Sequence, residues 1–341
     1  MLRRFNLKSQ CFLHRHLVAM VIFMAGMVIY LKSDWWLSSL TPTPQHHSAS
    51  QQINISALAV SKNDKSHKIK KILILWYNPP GYVARAPTFN PTQLCPHLNC
   101  EYTTDRSQST LSQVVIFDAF TLPKHPPEKL RHQKWVFFSQ ESPFSIKSKF
   151  LNTDEWRGKF DLTATYRRDS DIPTPYGIIK ANDGETPVIK KNYTGIFRRK
   201  KMAAVWMVSH CSTHSKRESL AQKLREFFPV DIFGACGKRL CGRSNDSNCL
   251  KNKFEDYMFY LSFENALCKD YVTEKFYRYY KYDTVEIVRA GINYSEIAPP
   301  GTFVDTADYK SVKELGNYLK SLAHNESKYT DYLKRKEAYT S

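Results

Sequence analysis

One stretch constrains the fold of this chain more than any other: FYLSFENALCKDYVTEKFY, from Phe259 to Tyr277. Its opening, Phe259 to Phe263, is an unbroken apolar run of the length that forms a buried strand. A polar loop follows, then apolar residues four apart at Phe276 and Tyr280, with Thr273 placed to cap the start of a helix. A strand that runs through a loop into a helix is an α/β unit. At such a helix start, free N–H groups and the positive dipole end can face a ligand phosphate beyond the strand ends. Glu274 and Lys275 add a carboxylate suited to ribose hydroxyls and an ammonium suited to phosphate oxygens. The same unit occurs in α/β proteins that bind no phosphate, so shape alone leaves its use open.

The 341 residues, 42% hydrophobic and 13% aromatic, are enough to bury two α/β cores. A net charge of +18 raises nucleic acid as a partner. No basic helix, RNP-like strand or zinc-finger spacing is present to use it, and a basic surface equally favours an anionic nucleotide. The uncharged run Leu17 to Leu31 follows Arg3, Arg4, Lys8 and Arg15 and precedes Trp35 and Trp36. This pattern predicts a transmembrane signal-anchor over 17–31, a cytosolic tail over 1–16 and a luminal body. A cleaved signal peptide competes, but no small-x-small cleavage site follows the run. Residues 32–69, rich in Ser, Thr, Pro and Gln, read as a luminal stem.

The N-glycosylation sequons at Asn54, Asn192, Asn245, Asn293 and Asn325 all lie beyond the apolar run, as do seven of the eight cysteines. In an oxidising lumen these predict disulfides. Cys95 and Cys100 form the most local candidate pair, and the cluster Cys236, Cys241 and Cys249 is expected to contribute at least one more bond. A zinc site is the competing use, without paired C-x2-C units or a histidine pair to support it.

Strand-like runs at 70–76, 113–118 and 135–140 predict a first α/β domain. Runs at 202–209, 230–234, 284–288 and 302–304 predict a second, with a helix after Ser215 carrying Leu220 and Leu224 and another carrying Val312, Leu315, Leu319 and Leu322. Glu141 follows the third strand directly, at a carboxyl end where α/β folds place ligands, although a solvated loop acid would sit there too. In Thr165-Tyr-Arg-Arg-Asp-Ser-Asp171 two arginines stand among carboxylates, which is also the pattern of a surface ion-pair network.

These segments together resemble the α1,3-fucosyltransferases. The resemblance is carried by Phe263-Glu-Asn265 with Tyr271-Val-Thr-Glu-Lys275, by Glu141-Ser-Pro143 after a Trp-Val strand, by Thr165 to Asp171 with Pro175-Tyr-Gly177, and by the loop Ser209 to Arg217. It covers roughly residues 70 to 330, and the cysteine-containing loop after Gly234 is most like invertebrate members. It implies a GT-B fold, two Rossmann-like domains facing a cleft, with an acceptor-side domain over 70–197 and a GDP-fucose-binding domain over 198–341. It also implies Glu141 as general base. Arg217 (with Lys216 as the alternative), Asn265, Tyr271, Glu274 and Lys275 would hold the donor, with Tyr166 and Arg167 in support. The implied reaction moves L-fucose from GDP-fucose to the 3-hydroxyl of N-acetylglucosamine on glycoprotein glycans by one inverting displacement, in the Golgi membrane. No tightly bound cofactor is implied and no metal is required, a divalent ion being a stimulant at most; a homodimer through the stem or membrane helix fits the type.

Two departures stand out. The segment Asp283-Thr-Val-Glu-Ile-Val-Arg289 places Glu286 and Arg289 in a strand the family keeps apolar, and members commonly continue beyond the equivalent of Tyr339, whereas the last residue here is Ser341. The competing reading is a catalytically silent Golgi relative that binds nucleotide or glycan or partners an active transferase.

Overall fold

A computed structural model describes residues 71–84, 100–146, 148–183, 191–238 and 254–341. The expected anchor and stem, the sequons at Asn54 and Asn245, and Cys95, Cys241 and Cys249 lie outside the described residues. Among the described residues no helix is long and apolar enough to cross a membrane.

The fold is mixed α/β, built on parallel sheets. The first sheet contains β1 (Ile72–Trp76), β2 (Cys100–Thr103), β3 (Val114–Asp118), β4 (Lys134–Ser139), β5 (Leu162–Thr165) and β6 (Ile172–Pro173), in the order β2-β1-β3-β4-β5-β6. All five residues of β3 are buried, as expected of a parallel strand covered on both faces. Beside it Phe117 lies 4.7 Å from Trp135 and 5.2 Å from Trp156, ring centre to ring centre. The short β2 and β5 escape a sequence reading because neither is a continuous apolar run: Cys-Glu-Tyr-Thr buries one residue and Leu-Thr-Ala-Thr interleaves threonines.

By contacts the chain divides into two compact units, one ending at Phe138 and including Lys149–Thr163, the other comprising Ser139–Ser148 and Ala164–Ser341. The second unit holds a short β7 (Lys180–Ala181), helix α1 (Tyr193–Arg199), β8 (Lys201–Met207), α2 (Arg217–Leu224), β9 (Val230–Phe233), β10 (Tyr257–Phe263), α3 (Glu274–Tyr277), β11 (Val285–Arg289) and β12 (Phe303–Asp305). It ends with α4 (Val312–Ala323), α5 (Glu326–Glu337) and β13 (Tyr339–Thr340), which pairs antiparallel with β7. The five-stranded sheet has the order β12-β11-β10-β8-β9, with every neighbouring pair parallel. The central β10 buries all seven residues, so its unbroken apolar sequence is what a strand flanked on both edges and both faces requires. Leu315, Leu319 and Leu322 of α4 are buried in the core of this sheet. Helix α5 was not legible: it buries Tyr329, Thr330, Leu333 and Lys336 on a face written mostly in polar residues.

Several expectations are corrected. Helix α3 spans only four residues, and its first orphan donor is already satisfied by protein, since the Thr273 N–H donates to Glu264 Oε1 at 2.8 Å. The start of α2 is not capped by Ser215. Lys216 stands at the cap with φ 54° and no side-chain cap bond, while the Ser215 hydroxyl donates to the Glu264 carbonyl at 2.7 Å. The disulfide of Cys236 reaches Cys211, 25 residues upstream, joining the loops that follow the neighbouring strands β8 and β9. The cluster thus contributes a bond, as expected, and the adjacency of the parallel strands makes Cys211 its partner. Cys100 is buried at the start of β2.

Asn192, Asn293 and Asn325 are exposed, and each caps a helical segment through its side-chain oxygen. Both flagged strand residues have structural consequences. Glu286 is 1% exposed, with neither carboxylate oxygen hydrogen-bonded among the described residues, whereas the half-buried Arg289 donates to the Ser215 carbonyl at 2.6 Å.

Candidate active site

The end of β10 determines where the site residues stand. After Phe263 the chain places Glu264 at 0% exposure, and its carboxylate collects the Thr273 N–H at 2.8 Å, the Thr273 hydroxyl at 2.9 Å and the Lys275 ammonium at 3.3 Å. The Thr273 hydroxyl accepts in turn from Lys275 Nζ at 2.7 Å. Burial pushes the Glu264 carboxyl above its ordinary range, while Lys275 and the Thr273 donors pull it back. A carboxylate surrounded by donors is the ionised form's environment. Burial opposes the Lys275 charge, but Glu264 and Glu274 outweigh it, so the ammonium is held more tightly protonated than a free lysine despite the nearby Arg217. The signature loop is thus folded around a buried ion pair, and Lys275 and Glu274 emerge partly exposed at its end, Nζ to Oε1 3.4 Å apart.

Glu141 lies in the loop after β4, half-buried, and accepts a hydrogen bond from the Tyr271 hydroxyl at 3.0 Å. Its backbone carbonyl accepts from the Ser139 hydroxyl at 3.0 Å, which fixes the turn that presents it. Tyr271 is 1% exposed, and its hydroxyl pKa is driven up by burial first and by Glu141 next. The Tyr166 ring packs edge-on against Tyr271, 4.9 Å between centres. Two motifs far apart in sequence are therefore brought onto one carboxylate. Tyr176, quoted in the Pro-Tyr-Gly motif but given no role by sequence, belongs with them: burial and then Glu141, Tyr271 and Glu274 raise its hydroxyl pKa, so it stands in the field of the same acids.

Of the paired arginines, Arg167 forms a bidentate pair with Asp169 at 2.7 and 2.5 Å near the surface. Arg168, which sequence reasoning passed over, makes the connection to the signature loop. Its backbone N–H and Nε donate to the Asp270 carboxylate at 3.2 and 3.1 Å, and its Nη2 also contacts Glu296. Asp270 has φ 63°, a left-handed conformation in which aspartate is more tolerated than most residues, and it immediately precedes Tyr271. Arg168 thereby holds the turn that aims Tyr271 at Glu141. A doublet of arginines carries no sequence signal for which member points inward.

Arg217, expected at the diphosphate, is 3% exposed: Nη1 donates to the Phe263 carbonyl at 2.7 Å and Nη2 to that of His210 at 3.5 Å. Burial lowers its pKa, with Glu264 as the main opposing influence. Its Nε and the Asn265 Oδ1 are buried polar atoms with no hydrogen-bond partner among the described residues. Unpaired buried polar atoms cost free energy, so two of them in one polar loop region are a feature of functional sites. The alternative cation, Lys216, is exposed beside Arg217. Among the described residues no group of three or more His, Cys, Asp or Glu side chains could hold a metal ion.

Comparison with known proteins places the chain in a family. The pattern described as fucosyltransferase, N-terminal, matches residues 68–177, and that of glycosyltransferase family 10 (fucosyltransferase) C-term matches residues 197–341. The chain is 35% identical over 274 residues to alpha-(1,3)-fucosyltransferase C of Drosophila melanogaster, covering 72% of this chain but 63% of the fly protein. It is 33% identical over 272 residues to alpha-(1,3)-fucosyltransferase 7 of Bos taurus, covering 76% of this chain and 73% of the bovine one. A crystal structure of an α1,3-fucosyltransferase with GDP-fucose shares the fold at TM-score 0.52 and 18% identity, over 83% of this chain and 86% of that one. With both halves of the family pattern present in order and relatives at this level of identity, the chain belongs to glycosyltransferase family 10, the fucosyltransferases.

Proposed function

We propose that this chain is a GT-B α1,3-fucosyltransferase of the Golgi membrane that moves L-fucose from GDP-fucose to the 3-hydroxyl of N-acetylglucosamine on glycoprotein glycans. The observation that carries the reading is the hydrogen bond from Tyr271, a residue of the donor signature, to Glu141 at 3.0 Å. In the proposed reaction the acceptor oxygen attacks the anomeric carbon of fucose as the bond to GDP breaks, with inversion. The acceptor proton passes to Glu141, and the charge left on GDP is met by Lys275, whose ammonium Glu264 and Glu274 hold protonated. In this reading Glu274 and Asn265 take donor hydroxyls, and Arg217, whose buried Nε has no hydrogen-bond partner among the described residues, takes a donor oxygen.

A silent nucleotide-binding relative is the second reading. It is favoured by the Arg217 guanidinium, two of whose nitrogens already donate to backbone carbonyls. Transfer of labelled fucose from GDP-fucose by the full chain, purified in mild detergent, separates the two. Glu141→Gln should lower turnover by about 10²- to 10⁴-fold while leaving GDP affinity intact. GDP binding by a well-folded chain that transfers fucose to neither core N-glycan nor N-acetyllactosamine acceptors would establish the silent relative instead.

A further inference from the structure

A cavity of about 270 Å³ lies among the loops that follow β5, β6, β10 and β11. Its lining combines apolar surface, including Tyr166, Tyr277 and Ile178, with the charged trio Arg168, Asp270 and Glu296. Ligands of open parallel sheets bind beyond the carboxyl ends of the strands, which is where all four of these loops lie. The cavity shares a wall with the candidate site: Tyr166 packs on Tyr271 at 4.9 Å, and Tyr271 donates to Glu141 at 3.0 Å. Neither Arg217 nor Lys275 lines it, so it is distinct from the cations assigned to the donor.

The lining narrows the occupant. The volume falls just below the roughly 300–1,000 Å³ of pockets for drug-sized ligands, which suits one ring and no more. Apolar and aromatic surface beside planar carboxylate and guanidinium groups matches a pyranose, which has C–H faces and a rim of hydroxyls. The single guanidinium is shared between two carboxylates, Asp270 at 3.0 Å and Glu296, so the lining carries one positive against two negative charges and disfavours an acidic sugar or a phosphate.

We propose that this cavity takes one neutral pyranose of the acceptor glycan, the unit adjoining the sugar that receives fucose. The inference rests on the proposed transferase reading. Its test uses the full chain and two variants, Ile178→Trp to fill the mouth from a side chain that is 47% exposed and Glu296→Gln to alter the polar rim. The substrates are a simple N-acetylglucosamine glycoside and neutral extended acceptors such as N-acetyllactosamine. Ile178→Trp should raise KM for an extended acceptor about tenfold or more, the scale on which a filled pocket discriminates, with KM for the simple glycoside and for GDP-fucose within twofold of the parent. Glu296→Gln should change KM in the same substrate-selective way.

Saturation-transfer NMR with the same saccharides reads occupancy without turnover. Loss of the extended acceptor's outer-sugar signal in Ile178→Trp supports the subsite even if the parent transfers no fucose, an outcome that would sink the transferase reading alone. Equal effects on simple and extended acceptors, or no effect on either in a folded Ile178→Trp chain, overturn the subsite.

Discussion

Glu286 offers the sharpest test of the energetics. It occupies the second position of β11, between Tyr260 of β10 and Phe303 of β12, and is 1% exposed. Among the described residues neither carboxylate oxygen has a hydrogen-bond partner. The cation acting on it among the described residues is Lys336 of α5, itself buried, whose ammonium donates instead to the carbonyls of Tyr282 at 3.1 Å and Thr284 at 2.7 Å. Burial pushes the Glu286 carboxyl from 4.5 up to about 8, with Lys336 pulling the other way. Because this folded-state pKa is raised, the protonated form is the one the fold accepts. Below pH 4.5 both folded and unfolded chains carry the proton, and the group is neutral in its effect. Between pH 4.5 and about 8 the unfolded chain releases a proton that the folded chain keeps, so stability falls as pH rises. At about 1.4 kcal/mol per pH unit, the full penalty approaches 5 kcal/mol by pH 8.

Glu286→Met removes the titration at similar volume. Thermal unfolding of the full chain and the variant should give nearly equal midpoints at pH 5, with the variant pulling ahead progressively to pH 8, by several degrees or more. The substitution leaves the Lys336 hydrogen bonds to backbone in place but removes the Glu286 charge that counters the burial-lowered pKa of Lys336, so the pH dependence of the difference reports the Glu286–Lys336 pair. A midpoint difference that stays constant from pH 5 to 8 would refute the reasoning, because it would mean that Glu286 does not change protonation on folding in that window.

Other perturbations follow from the site and its supports. Glu264→Gln removes the buried carboxylate from its pair with the partly exposed Lys275 and leaves the Thr273 donors mismatched; denaturant unfolding should register a loss of about 2–4 kcal/mol, and an unchanged midpoint would remove Glu264 from its structural role. Tyr271→Phe deletes only the hydroxyl that contacts Glu141, so turnover should drop about tenfold with GDP affinity unchanged by calorimetry, and full activity would show that this contact does not aim the base. Cys211→Ser should cost about 3–4 kcal/mol for the loop that the disulfide closes, and the parent should show the same loss of melting temperature in reductant. At Gly177 an added Cβ would stand 2.3 Å from Cγ of Tyr277, so Gly177→Ala should destabilise the chain by about 1–3 kcal/mol and disturb the cavity beside it, measurable as a lower melting temperature together with weakened acceptor binding.

The sequence by itself determined the α/β class and most strands of both sheets. Runs such as Tyr257–Phe263 can be stable only where water is excluded from both faces, and a strand buried that way writes its burial directly into its composition. The leucines of α4 were legible for the same reason, since one face must repeat at helical spacing.

Contacts between segments distant in the chain were not legible. Which arginine of the Arg167–Arg168 pair turns toward Asp270, and which cysteine meets Cys236, depends on loops brought together only when neighbouring strands pair. The same holds for Glu264, a motif residue to which the sequence assigned no role and which serves as the buried counter-ion of Lys275. Helix α5 was hidden because Lys336 buries its stem and ammonium against backbone carbonyls, a placement that no hydropathy pattern announces. Local composition records how much of a residue is buried. Its partner is set by the tertiary structure, because hydrogen bonds and ion pairs are satisfied by geometry between elements rather than by the residue's own neighbours in sequence.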